Sequence, residues 1–118
     1  MAKPKILILG AGLGGAIAAF EVKDAVGDRA EVSVVSQGHT FHFVPSNPWV
    51  AVHWRKRDAI EVDLPPVFRK RHIGFNGVGA KRVSPAENRV ELQDGQVVDY
   101  DYLVIATGPE LAFDEIPG

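Results

Sequence analysis

Gly10, Gly12 and Gly15 in the stretch GAGLGG stand at G-x-G-x-x-G spacing. In such a loop the first glycine permits a tight turn. The second lets main chain approach a pyrophosphate, and the third lets a helix pack closely on a strand. Leu13 and Gly14 fall between them, where the helix would begin, so their backbone N–H groups join those of the glycines as candidate donors. A helix start offers unpaired N–H groups and about half a positive charge, which together bind an anion. The chemistry expected here is dinucleotide binding, provided a strand precedes the loop and a helix follows it.

Both conditions are legible. KILIL (5–9) is a continuous apolar run and reads as a strand buried on both faces. From 12 to 26 the pattern is helical. Leu13, Ile17 and Phe20 form one stripe, Ala18, Val22 and Ala25 an adjoining one, with Glu21, Asp24 and Asp28 opposite. Gly27 is placed to end the helix. EVSVVS (31–36) then completes a β-α-β unit. Such a second strand should end in Asp or Glu to hold the adenosine ribose, yet this one ends in Ser36 and Gln37, with Glu31 at its wrong end. A serine hydroxyl is a weaker ribose partner than a bidentate carboxylate, and Ser36 can equally be no more than a strand end. No arginine stands beside it to favour a 2′-phosphate.

Residues 37–72 are less regular. Pro65 and Pro66 suit the first turn of a short helix that Arg69, Lys70 and Arg71 would close. IGFN (73–76) reads as a third parallel strand. AKRVS, NRVELQ and QVVDY alternate apolar and polar residues across PAEN and DG turns, a three-stranded antiparallel meander. DYLVIATG (101–108) returns as a buried strand ending in glycine. The class expected is α/β, a Rossmann-like parallel sheet with an inserted meander.

A glycine loop, a meander and a strand ending in ATGP, in that order, resemble the FAD domain of the pyridine nucleotide–disulfide oxidoreductase superfamily. On that resemblance Thr107, Gly108 and Pro109 match the second flavin-contacting turn, and backbone near Val78 meets the adenine edge. FVPSNPWV (43–50) followed by Trp54-Arg55-Lys56-Arg57-Asp58 resembles the sulfide:quinone oxidoreductase branch, as does the closing ATGPELAFDEIPG. The resemblance implies FAD as cofactor, Pro45 beside the flavin ring, and Asn47 and Trp49 packed behind it. It also implies sulfide and a membrane quinone as partners of a longer enzyme. This chain would be that enzyme's N-terminal FAD-binding portion, inactive alone and without catalytic residues of its own. Related alternatives are an NADH:quinone oxidoreductase or a flavocytochrome-type sulfide dehydrogenase. A non-catalytic nucleotide-binding module is the alternative from another class.

The totals exclude other classes. The chain has 118 residues, 46% hydrophobic and 24% charged, a formal net charge of −2 and no cysteine. It has room for one domain, gives no electrostatic ground for nucleic acid, and lacks any thiol nucleophile, disulfide or thiolate metal site. The apolar run after Lys5 is too short for a secretory signal, and none approaches a bilayer span. A cytoplasmic location is expected, with peripheral attachment to an inner membrane only through further parts of a full-length enzyme. His39 and His42 lack a third metal ligand, and the RKR clusters at 55–57 and 69–71 read as solvated faces. A strand edge left uncovered would favour a homodimer.

Overall fold

The computed structural model describes residues 2–118. In chain order its elements are β1 (Lys5–Leu9), α1 (Leu13–Val26), β2 (Glu31–Val35), β3 (Thr40–His42), α2 (Asn47–Ala51), β4 (Glu61–Asp63) and α3 (Leu64–Lys70). There follow β5 (Gly74–Asn76), β6 (Ala80–Ser84), β7 (Arg89–Leu92), β8 (Val97–Asp99) and β9 (Tyr102–Ile105).

A four-stranded sheet runs in the order β5-β2-β1-β9. All three pairings are parallel, with Leu9 opposite Val35 on one side and Ile105 on the other. Side chains alternate across such a strand, so β1 feeds two cores. Ile8 joins Val32, Val34, Ala16, Ala19 and Phe68 beneath the helices. Leu7 and Leu9 join Val35, Val90, Leu92 and Tyr100 beneath the antiparallel sheet β6-β7-β8. The expected α/β architecture is therefore present, with the meander as the third layer over one face of the parallel sheet.

One expectation is refined and one corrected. Of the stripe Leu13–Ile17–Phe20 only Phe20 packs on the core; Leu13 is 47% and Ile17 56% exposed, and the buried positions of α1 are Gly15, Ala16 and Ala19. Small residues face the sheet instead because the helix lies too close for anything larger. A Cβ at Gly15 would collide with the Gly10 carbonyl. The last strand is likewise not buried. β9 is an edge of the sheet, and Tyr102 and Ile105 are each 64% exposed, since among the described residues no strand pairs on its outer side.

The irregular stretch contains structure that its composition did not announce. β3 and β4 pair antiparallel, setting Phe41 against Val62 and His42 against Glu61. Between them the chain makes 3₁₀ turns at Val44–Ser46 and Arg57–Ile60 around the short α2. α3 has its prolines in the first turn and Arg69 and Lys70 in the last, as the sequence suggested. Its Phe68 is fully buried, 5.5 Å from both Phe20 and Phe75. Arg71 then ties α3 to α1 through Asp24, at 2.7 Å.

Candidate functional site

β1 lies at the centre of the sheet, with β2 on one side and β9 on the other. The order reverses there, and in open α/β sheets ligands bind beyond the carboxyl ends of strands at such a point. A cleft of about 510 Å³ opens at that place. Its walls are the glycine loop (Gly10, Gly12, Leu13 and Gly14), the β2 end (Ser36 and Gln37) and the β9 end (Thr107, Gly108 and Pro109). Another cleft, about 550 Å³, lies at the opposite ends of the strands among Lys3, Lys5 and Glu31, away from the switch point.

The three motif glycines divide into two jobs. Gly10 has φ +101°, and a Cβ there would strike the Ala106 carbonyl at the close of β9. Gly15 is pressed on Gly10 in the same way. These two hold strand, loop and helix together. Around Gly12 the space is open, with no atom beyond its chain neighbours within 4 Å of where a Cβ would stand. Packing of the chain therefore does not require glycine at this position, whereas a ligand lying against the main chain would. The loop is pinned from both sides: the Gly10 N–H donates to the Val35 carbonyl and the Ala106 N–H to the Leu9 carbonyl, each at 2.8 Å. The first helical bond runs from the Ala16 N–H to the Gly12 carbonyl. The amides of Leu13, Gly14 and Gly15 thus lack intrahelical partners, and the first turn carries no acidic residue or side-chain cap.

At the β2 end, the Ser36 N–H donates to the Asn76 carbonyl at 2.9 Å. Gln37 bridges to Val78, and the Gly38 N–H donates to the Gly77 carbonyl. Val78 stands one step back from the cleft. Its N–H is taken by Asn76 Oδ1 at 2.9 Å, which leaves its carbonyl as the group this turn can offer. Ala80, at the start of the meander, does line the cleft. Sequence reasoning missed it, though its place two residues beyond Val78 was a usable signal.

Gly15 and Pro45 also stand outside the lining, the first because it is buried under the loop. Pro45 is exposed in the Val44–Ser46 turn and does not line this cleft. Asn47 opens α2, and Trp49 stacks under the Arg55 guanidinium at 4.9 Å. Arg57 pairs with Glu61 at 2.8 Å, and His42 lies 3.4 Å from the same carboxylate. Among the described residues the cleft is lined by no charged side chain. Backbone amides, the helix dipole, the Ser36 and Thr107 hydroxyls and the Gln37 amide are its polar means, a donor set suited to a phosphate-bearing ligand.

A family model described as pyridine nucleotide-disulphide oxidoreductase matches residues 4–118. The sulfide-quinone reductase of Aquifex aeolicus is 38% identical over 108 residues, covering 92% of this chain and 25% of its own length. A solved structure of the sulfide:quinone oxidoreductase from that hyperthermophilic bacterium superposes with a TM-score of 0.89, covering 95% of this chain and 26% of the other. An external alternative NAD(P)H-ubiquinone oxidoreductase of Arabidopsis thaliana mitochondria is 30% identical over 128 residues, covering 98% of this chain and 22% of the relative. The chain spans about a quarter of the length of these relatives.

Proposed function

The chain belongs to the pyridine nucleotide–disulphide oxidoreductase family, and from that premise we propose that it is the FAD-binding portion of a sulfide:quinone oxidoreductase. The observation that carries the cofactor reading is the open space at Gly12, beside unpartnered helix-start amides at the switch point of the sheet. Gly12, Leu13 and Gly14 would hold the pyrophosphate through their backbone, and Ser36 and Gln37 would face the ribose. Val78 would offer its carbonyl to the adenine, and Thr107, Gly108 and Pro109 would lie toward the flavin end. Bound FAD supplies two-electron transfer between sulfide and quinone in the longer enzyme. These residues bind and orient. The chain has no cysteine, so sulfide-handling thiols would belong to other parts of such an enzyme.

The choice of the sulfide branch rests on the SNPWV stretch and on identity of 38% to the sulfide-quinone reductase against 30% to the NAD(P)H-ubiquinone relative. Among the described residues no helix is long and apolar enough to cross a membrane. A cytoplasmic enzyme seated peripherally on the inner membrane, where quinone resides, fits the reading. The uncovered β9 edge supports pairing of this chain with a second copy.

Titrating FAD while following Trp49 and Trp54 fluorescence tests the cofactor assignment. Saturable binding weaker than about 1 μM is expected, because part of the flavin's enclosure would come from further chain. Gly12→Val should abolish it while leaving the circular dichroism unchanged. Equal binding by both chains would overturn the assignment. For the whole enzyme, quinone reduction driven by sulfide and not by NADH is the expected result.

A further inference from the structure

Resting on the reading of this cleft as a dinucleotide seat, we propose that its adenosine end does not distinguish a 2′-phosphate from a 2′-hydroxyl. A carboxylate at the end of the second strand does two things. It holds the ribose hydroxyls, and it repels a phosphate placed there. Here Ser36 and Gln37 occupy that end, and both are neutral. Among the described residues neither a carboxylate nor a cation lines the rest of the cleft, so nothing in that lining repels or selects the extra phosphate. Lys81, which follows Ala80, is engaged with Glu91 at 3.8 Å.

Space is available as well as electrostatic neutrality. The next residue, Gly38, has no atom other than those of its chain neighbours within 4 Å of where its Cβ would stand, and one of these neighbours, the exposed His39, turns its ring to Gly77. The Gly38 N–H is bonded to the Gly77 carbonyl, so the β2 end is fixed while the region beyond it stays open. A phosphate reaching past Ser36 and Gln37 would keep much of its hydration and lose little on binding. The ligand class admitted is therefore any adenosine diphospho compound, with or without a 2′-phosphate.

Calorimetric titration of the chain with ADP-ribose and with 2′-phospho-ADP-ribose separates the outcomes, since the two probes differ only in that group. Dissociation constants within about threefold of each other are expected. Gln37→Glu, or Ser36→Asp as a second variant, should weaken the 2′-phospho probe by about tenfold or more relative to ADP-ribose. A native chain that already prefers ADP-ribose by about tenfold overturns the inference and leaves the cleft reading intact. So do carboxylate variants that both fold and bind the two probes equally. Binding of neither probe by the native chain overturns the cleft reading, and the inference with it.

Discussion

Gly10, Gly12 and Gly15 share one motif but differ in what surrounds them. Ala at Gly10 or Gly15 would place a methyl group on a backbone carbonyl, and at Gly10 it would also force a side chain into positive φ. Either substitution should lower unfolding free energy by about 2 kcal/mol or more, measured by denaturant titration. Gly12→Ala meets open space and has φ −76°, so it should cost less than about 1 kcal/mol, close to the ordinary preference for glycine over alanine at a helix N-cap. Equal losses at all three positions would show that the division between packing and binding is wrong. The motif was legible as a motif. The motif also assigned the turn to Gly10, the ligand approach to Gly12 and the helix packing to Gly15, but not the Ala106 carbonyl that meets Gly10, because spacing along the chain does not say what lies opposite each Cα.

At the scale of elements, α1 and β9 carry the discrepancies. The sequence shows two adjoining apolar stripes on the helix, yet its buried positions, Gly15, Ala16 and Ala19, belong to neither. Close contact with β1 selects these small residues. Ile17→Gln should therefore change stability by less than about 1 kcal/mol, whereas Ala19→Leu should cost about 1–3 kcal/mol by overpacking. The reverse order in thermal denaturation would restore the bulky stripe as the core face. For β9, four residues of parallel strand lie at a sheet edge with Tyr102 and Ile105 exposed. Such an edge offers unpaired backbone groups to another strand. Sedimentation velocity over a concentration series should show self-association that Ile105→Lys diminishes. A native chain that stays monomeric throughout would refute this.

At the scale of the molecule, the parallel sheet carries an apolar cluster on each side, one beneath the helices and one beneath the antiparallel sheet β6-β7-β8. Phe68 and Leu92 are fully buried, one on each side. Phe68→Ala should cost about 3–5 kcal/mol and Leu92→Ala about 2–5 kcal/mol. Because β1 and β2 contribute to both clusters, each variant should still unfold in one transition by circular dichroism. A separate early transition of the meander in Leu92→Ala would mean that the layers fold independently.

The sequence by itself determined the α/β class, the position of the glycine loop between a strand and a helix, the meander with its turns, and the absence of a ribose carboxylate. Each is a local property, written in periodicity, turn residues or residue identity over a few positions. The tertiary structure decided what local pattern leaves open. It brought Ser36, Gln37, Ala80 and the Thr107–Pro109 turn to the glycine loop, and it set Pro45 outside that cleft. It put β9 at an edge, paired β3 with β4 across the irregular stretch, and emptied the space at Gly12 while filling it at Gly10 and Gly15. These outcomes depend on which strands become neighbours. That choice follows from burying both faces of β1 at once, a requirement that no single segment of the chain contains.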